Sequence, residues 1–467
     1  YISGINIHSK RTKPSSYDDE FRPTLLLSDK GKIYFNITSR DRKKMDVCRA
    51  DINTGEVEVL IEERMNTYIE TRPLYLIKNE TEMIHWSEKD GWAHFYRHDI
   101  NGNLLNRITS GPFHSDNIKY YDQKSNFLFF SAHGVNKEID PYYEHTYKIS
   151  LNGGVPKLLN KGDFNTMTYP SDNHKFFVNN FSRVNTTPKS NLINSDGSVI
   201  MNLETADLSA LFESGYKFPE TFKAKADDGI TDLYGVIYKP FDFDENKKYP
   251  LLEYVYPGPQ TESVNKSFSV RMDRLDRMAQ LGFIVITLGN RGGHPDRSKW
   301  YHNYGYGNLR DYGLADKKYV AQQLANRHDF IDINRVGIYG HSGGGFMSTA
   351  AILVYPDFFK VAYSQAGNHD NSIYNSWWSE THHGILEETD DDGNIKYIYD
   401  IDKNQSLAKN LKGHLYLVTG DMDNNVHPGA TYRMANALIK ANKKFGFMIL
   451  PSPVSYTHLT LPTTFGV

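Results

Sequence analysis

The stretch Val336-Gly337-Ile338-Tyr339-Gly340-His341-Ser342-Gly343-Gly344-Gly345-Phe346-Met347 decides how this chain folds. Val336 to Tyr339 has the make-up of a short buried strand. From Phe346 onward, Phe346, Met347, Ala350, Ala351 and Val354 form the apolar face of a helix. Between them, Gly340-His341-Ser342-Gly343-Gly344 fits G-x-S-x-G. As a bare pattern this is weak, because glycine is frequent; between a strand and a helix it becomes specific. The spacing has a physical reason. The serine must occupy a strained turn with an unfavourable φ, and the flanking glycines let strand and helix approach closely. Such a turn lifts the Ser342 hydroxyl out of the top of the sheet, with a helix N-terminus behind it that favours negative charge.

Around this elbow, strands alternate with helices. Asp232 to Tyr238 and Leu251 to Tyr256 read as strands, followed by a helix near 270–281, a strand at Phe283 to Leu288 and a helix at about 312–326. That alternation predicts a mostly parallel sheet covered on both faces. Leu415 to Gly420 is another buried strand and runs into Asp421-Met422-Asp423-Asn424-Asn425-Val426-His427-Pro428. In an α/β-hydrolase the acid follows the serine in chain order, just past a strand end, where it orients a histidine. Asp421 and Asp423 both qualify by position. Phe445 to Leu450 reads as the last strand before the loop that should carry that histidine.

Upstream, from about residue 24 to 205, the chain repeats. Each unit has an apolar-aromatic strand, as at Ile33-Tyr34-Phe35, Met83 to Trp86, Phe127 to Phe130 and Lys175 to Val178. A second strand leads into a tight polar turn at Asn53-Thr54-Gly55, Asn101-Gly102, Asn152-Gly153 or Ser195-Asp196-Gly197, and a third strand follows. The turns recur at roughly 44 to 51 residues, the spacing of four-stranded propeller blades. A plain β-sandwich is the alternative. Trp86-Ser87-Glu88-Lys89-Asp90-Gly91-Trp92 is a conspicuous turn whose aromatics are expected between blades and whose charges are expected in water. Residues 206–228 change character, with a short helix around Leu208, Leu211 and Phe212 and then an extended linker.

The bulk composition fits this plan. A length of 467 residues calls for two or three domains, and the 13% aromatic content, with 32 Tyr and 25 Phe, favours a β-rich half. A net charge of −3 gives no support to nucleic acid or an anionic membrane as partner. The single cysteine, Cys48, excludes an internal disulfide and leaves the compartment open. No apolar run has the length of a transmembrane helix, and no signal peptide is visible. The chain starts at Tyr1, without methionine and in mid-pattern, so an N-terminus cut short, with further blades upstream, is expected.

With these motifs in hand, the sequence resembles the prolyl oligopeptidase family of serine peptidases, and most closely its dipeptidyl peptidase IV branch. The resemblance covers nearly the whole chain. It rests on Trp86 to Trp92, Tyr254-Val255-Tyr256-Pro257-Gly258-Pro259, Gly289-Asn290-Arg291-Gly292, the elbow, and Asp423 to His427. It implies Ser342 as nucleophile and Asp423 as triad acid, the latter at the end of a Gly-x-x-Asp run that starts at Gly420. It implies Tyr256 and the backbone N–H of Gly343 as the oxyanion hole, and Asn425 near the substrate's carbonyl. Three departures stand out. Gly343 follows the nucleophile where the branch usually carries tyrosine. Asn375 to Gly384 matches a segment that usually supplies two tyrosines around a substrate proline, and here Trp378 and His382 fall at those places. An aromatic wall at Trp378 still suits proline or a small apolar side chain. The paired glutamates that hold a free substrate N-terminus would lie upstream of Tyr1. His382-His383 lacks a second cluster at ligand spacing, so no metal is expected there.

The histidine is where the pattern breaks. The family places a His-Gly within a few residues of Leu450-Pro451. This chain reads Ser452-Pro453-Val454-Ser455-Tyr456-Thr457-His458-Leu459-Thr460-Leu461-Pro462-Thr463-Thr464, which looks like the translation of a sequencing-library adaptor. On that reading residues 453–467 are foreign and His458 is a decoy. A closing helix of the hydrolase sheet would be missing too, leaving an apolar face uncovered.

The expected architecture is therefore a partial β-propeller of about four blades over 1–205, a linker over 206–228, and an α/β-hydrolase domain with a mostly parallel sheet over 229–452, incomplete at its C-terminus. The resemblance implies release of N-terminal dipeptides after proline or a small residue, by an acyl-enzyme mechanism on a peptide substrate. It implies no metal, no organic cofactor and no nucleic acid, and it implies a homodimer that is periplasmic or otherwise exported. An oligopeptidase or acylaminoacyl peptidase of the same family is one alternative, and a non-catalytic propeller scaffold with a degenerate hydrolase domain is another. A lipase-like esterase is disfavoured by a propeller that would gate large substrates. With its histidine missing, the chain as given is expected to be nearly inactive.

Overall fold

The computed structural model describes residues 26–269, 274–398 and 400–451. Residues 453–467, with His458, lie outside the described residues. The chain forms two compact units. Among the described residues, the first comprises those up to Leu208 together with Lys266–Phe268 and Pro295–Asn303; the second holds the remainder.

The first unit is a partial β-propeller of four four-stranded antiparallel sheets. Its blades are β1 to β4 (Leu26–Leu27, Lys32–Thr38, Lys44–Asp51, Val57–Arg64) and β5 to β8 (Tyr75–Ile77, Glu82–Ser87, His94–Asp99, Leu104–Arg107). Then come β9 to β12 (His114–Asp122, Phe127–His133, Glu144–Ser150, Lys157–Leu158) and β13 to β16 (Asn165–Pro170, Phe176–Ser182, Lys189–Asn194, Val199–Thr205). Alternation along each strand sends one set of side chains towards each neighbouring blade. Ile84, Trp86 and Phe95 of the second blade thus share a core with Leu128, Phe130 and Tyr147 of the third. Met45, Val47 and Ile61 pack in the same way against Leu74 and Met83, and Tyr120 and Phe129 against Phe177 and Ile193. The outer face of the fourth blade instead exposes Met167, Tyr169, Phe176 and Val178.

The turn glycines take part in this stacking. Gly102 has φ +90°, and a Cβ there would lie 2.0 Å from the carbonyl oxygen of Leu60 in the preceding blade. Gly197 repeats the arrangement, 2.5 Å from Leu159 O. The hairpin tip of one blade therefore rests on the backbone of the last, a contact that only glycine permits.

Within Trp86 to Trp92, Trp86 is buried and donates from Nε1 to Ser115 O at 2.7 Å. Lys89 and Asp90 behave as expected of surface charges, but Glu88 does not face water. It is 3% exposed, 2.7 Å from Lys299 Nζ of the 295–303 segment. The buried partner, which a one-dimensional reading does not bring near, is what makes burial of the carboxylate tolerable.

Residues 206–228, expected as a linker, carry α1 (Ser209–Glu213) and β17 (Glu220–Lys225). In the second unit β17 is the edge of an eight-stranded sheet. The others are β18 (Asp232–Tyr238), β19 (Tyr249–Tyr254), β20 (Ile284–Leu288), β21 (Ile331–His341), β22 (Phe359–Gln365), β25 (His414–Gly420) and β26 (Gly446–Leu450). Its order is β17-β18-β20-β19-β21-β22-β25-β26. Only the β17–β18 and β18–β20 pairs are antiparallel; from β20 to β26 all neighbours run parallel. This is the α/β-hydrolase half. Helices α2 (Arg274–Ala279), α4 (Leu314–Arg327), α5 (Gly343–Val354) and α7 (Gly429–Lys440) belong to it, as do α6 (Ser376–His383) and the hairpin β23–β24 (Leu386–Thr389, Ile395–Ile398); α3 (Lys299–His302) lies in the 295–303 segment of the first unit. Arg291, from Gly289-Asn290-Arg291-Gly292, clamps the start of α4: its Nη2 lies 2.7 Å from the fully buried Asp316. No helix among the described residues is long and apolar enough to cross a membrane.

The glycine contacts give a direct test of the blade stacking. Gly102→Ala should lower stability by well over ~1 kcal/mol, combining strain at positive φ with a backbone clash. Gly55→Ala, at φ +75° with nothing within 4 Å of the added methyl, should cost only the strain. Denaturant melts of both variants check this; equal losses would contradict the stacking role.

Candidate functional site

The strand order reverses at β19, and the parallel strands end on one edge of the sheet, where open α/β sheets bind ligands. The register shows which residues share that edge. Tyr254 pairs with Tyr339, His341 with Gln365, Gln365 with Val418 and Gly420 with Leu450. Tyr256, Ser342 and Asp423 thus each follow their strand by two, one and three residues at the same end. Adjacent strands lie about 4.8 Å apart, so the Ser342 and Asp423 turns, separated by one strand, start roughly 10 Å apart.

Ser342 connects β21 directly to α5 and has φ +55° and ψ −118°. That value is an outlier for a residue with a side chain and stores strain at the turn. Two backbone hydrogen bonds and two close approaches of one carbonyl hold it. Ser342 N–H donates to Gln365 O at 2.8 Å, and Phe346 N–H donates to Ser342 O at 3.0 Å. A Cβ on Gly344 would lie 1.9 Å from Val255 O, and one on Gly340 2.2 Å from the same oxygen. The helix starts at Gly343, three residues earlier than the apolar pattern begins, because the three glycines form its first turn under the Val255–Pro257 backbone. The same contact brings Tyr256 beside the elbow: its Cα would lie 3.3 Å from a Cβ on Gly344.

Asp423 is buried, and its Oδ1 accepts the N–H groups of Asn425 and Val426, both at 2.9 Å. This small turn fixes the carboxylate. Asp421, the other candidate by position, is exposed. His427, on the same turn, accepts Gly429 N–H through Nδ1 at 3.0 Å.

Trp378 and His382 lie on α6, one turn apart, with ring centroids 5.0 Å apart. Asn375 caps this helix by accepting from Trp377 and Trp378 N–H. Sequence reading missed Tyr374, whose ring meets Trp378 edge-on at 5.5 Å and whose hydroxyl donates to Asn425 Oδ1 at 3.3 Å. Tyr374 thereby links Trp378 on α6 to the turn that holds Asp423. Tyr374 lies one residue before the Asn375 cap, outside the helix, so the helical spacing of Trp378 and His382 does not extend to it. His383 is turned elsewhere: its Nε2 meets the Asn371 side-chain amide at 3.1 Å, and burial pushes its imidazole down to about 3. Among the described residues, the group with metal-ligand geometry does not include His382 or His383.

A model described as the prolyl oligopeptidase family matches residues 268–453, and one described as the dipeptidyl peptidase IV (DPP IV) N-terminal region matches residues 8–188. Dipeptidyl peptidase 8 of Homo sapiens is 32% identical over 237 residues, half of this chain and 26% of that protein. Dipeptidyl aminopeptidase A of Saccharomyces cerevisiae is 26% identical over 454 residues, 86% of this chain and 46% of that protein. The chain thus spans less than half the length of these relatives. The crystal structure of Porphyromonas gingivalis dipeptidyl peptidase 4 superposes with a TM-score of 0.80 at 23% identity, over 93% of this chain and 60% of that one.

Beneath the elbow, Glu253 on β19 is fully buried, 3.8 Å from Lys317 Nζ on α4. Lys317 also donates to Leu288 O. Desolvation pushes the Glu253 carboxyl up to about 7, opposed by the nearby ammonium, and desolvation lowers Lys317. A raised carboxyl stabilises the fold fully below its unfolded value near 4.3, and this contribution is lost as pH rises to about 7. Glu253→Gln should therefore flatten the fall in melting temperature between pH 5 and 7. An unchanged slope would contradict the assignment.

Proposed function

Because the chain belongs to the prolyl oligopeptidase family, in its dipeptidyl peptidase IV-like branch, we propose that it acts as a serine peptidase that releases N-terminal dipeptides after proline or a small residue. The observation that carries this is Ser342 on its positive-φ turn, with Tyr256 packed beside it and a buried Asp423 at the same sheet edge.

The reaction is acyl transfer. Ser342 Oγ attacks the scissile carbonyl while a histidine takes its proton, and the carbonyl oxygen becomes an oxyanion. Gly343 N–H, at the start of α5, and the Tyr256 hydroxyl donate to that oxygen; each such donor is worth roughly 3–4 kcal/mol of transition-state stabilisation. The histidine then protonates the leaving amine, and water resolves the acyl-enzyme by the same steps in reverse. Asp423 keeps the imidazole in its working tautomer and stabilises imidazolium. Trp378, backed by Tyr374 and His382, forms the wall against the residue before the cleaved bond, and Asn425 holds a substrate carbonyl.

The base belongs in the loop after β26. That strand ends beside the acid's turn, since Asp421 N–H donates to Leu450 O at 3.2 Å. The adaptor-like reading of residues 453–467 makes His458 foreign, so the proposal assigns the base to the natural loop. Export to the periplasm and a homodimer belong to the proposal on the strength of the resemblance alone.

The test is hydrolysis of an Ala-Pro or Gly-Pro chromogenic dipeptide. A chain with its natural loop after Leu450 should turn over at a rate ordinary for enzymes. Asp423→Asn should then lower kcat by about 10⁴, while Asp421→Asn should change it by less than about threefold. The 467-residue chain itself should be about 10⁴–10⁶ slower. Full turnover by that chain would overturn the placement of the base, and equal losses at Asp421 and Asp423 would overturn the choice of acid.

A further inference from the structure

The third blade carries a group of ligating side chains that the proposed peptidase chemistry leaves unused. His114 pairs directly with His133 across β9 and β10, and His133 with Glu144 across β10 and β11. Residues paired in this way project from one face of a sheet. Asp116 follows two residues along β9. One ligating atom from each of Asp116, His133 and Glu144 lies within 4.8 Å of the others. Asp296 adds a carboxylate whose Oδ2 is 3.6 Å from His133 Nε2.

A second, independent observation concerns His114. It is 1% exposed, and neither ring nitrogen has a hydrogen-bond partner. A neutral imidazole carries one N–H and one lone pair, and burying both without partners is costly. Its ring stands 6.0 Å from that of His133, in the same row. His133 itself is set as a ligand would be. Its Nδ1 donates to Tyr142 O at 3.2 Å, so in the neutral ring the Nε2 lone pair faces the carboxylates.

The surrounding charges leave a place for a cation. Arg72 donates to Asp116 Oδ1 at 2.8 Å, the Asn117 amide donates to Asp116 Oδ2, and Lys119 donates to Glu144 Oε1 at 3.1 Å. Glu70 lies 3.7 Å from Arg72. Four carboxylates (Glu70, Asp116, Glu144 and Asp296) thus meet two permanent cations, Arg72 and Lys119, and against the opposing effect of burial Asp296, Asp116 and Glu144 hold the His133 imidazole above its ordinary value until a metal displaces its proton. The remaining negative charge matches one dication, and the hydrogen bonds orient the carboxylates as outer-shell partners do.

We propose that the third blade binds one zinc-class divalent cation through His133 Nε2, Asp116 and Glu144, with His114 as fourth ligand. Two imidazoles and two carboxylates suit zinc, whereas calcium and magnesium take oxygen ligands. Tetrahedral zinc holds its ligand atoms about 3.4 Å apart, so Asp116, His133 and Glu144 close in by about 1 Å on binding, and His114, outside their 4.8 Å group, swings in further. The ion would staple β9, β10 and β11 together. Its ligands are scattered over three strands, which is why no spacing motif marks them.

The 467-residue chain, incubated with zinc sulfate and desalted, should retain one equivalent of zinc by elemental analysis. Calorimetry should give a sub-micromolar Kd, and zinc should raise the melting temperature. His133→Ala should weaken binding at least 100-fold, and Glu144→Gln, which preserves volume, should weaken it in a chain that still folds. The His382→Ala/His383→Ala double variant should keep the equivalent. Cobalt should give the visible absorption of a tetrahedral site in the parent chain. No retained zinc, or an equivalent that survives in the His114→Ala/His133→Ala double variant, would overturn the proposal.

Discussion

The approach of the Val255 carbonyl to Gly340 and Gly344 is the contact on which the hydrolase half depends. Any side chain at either glycine would overlap that oxygen. With both bare, the end of β21 and the first turn of α5 press against the backbone that follows β19. The connection between them then has room for a single residue, and Ser342 takes it at φ +55°. Strain at that residue is offset by the buried sheet and helix on either side, where Ile338, Met347, Ala350 and Ala351 are all almost fully enclosed. One packing constraint thus sets the direction of Ser342, the start of the helix behind it and the position of Tyr256 beside it.

The propeller half uses the same device for a different end. Gly102 and Gly197 bring hairpin tips onto the carbonyls of Leu60 and Leu159, so the blades are joined by backbone contact as well as by the aromatic cores between them. Buried charge adds specificity to that stacking. Glu88 with Lys299, and Arg72 with Asp116, are enclosed pairs whose partners come from distant parts of the chain. Such pairs contribute little net stability, but removing one partner is costly, so they favour one arrangement over its neighbours.

Much of this was legible in the sequence. The elbow, the strand–helix alternation and the recurring turns carry local signals, since each needs particular residues at fixed short spacings. The partial propeller and the mostly parallel hydrolase sheet follow from them. What escaped depends on distance in the chain. β17 was hidden in a stretch that reads as extended linker, because an edge strand needs only one paired neighbour and little apolar pattern. Glu88 was assigned to water because Lys299 lies more than two hundred residues away. Tyr374 was passed over because its bond to Asn425 joins two loops, and the His114–His133–Glu144 row because it runs across strands. Of the two acids at the end of β25, sequence position left the choice open, and burial with two backbone donors distinguishes Asp423 from the exposed Asp421.

If Ser342, Tyr256 and Gly343 form one acyl-transfer site, as proposed, a crystal soaked with a dipeptide boronate will show it. The expected result is a tetrahedral boron bonded to Ser342 Oγ, with one boronate oxygen about 3 Å from both the Tyr256 hydroxyl and Gly343 N–H. A boronate bound away from Ser342, or one on Ser342 whose oxygens point away from both donors, would contradict it.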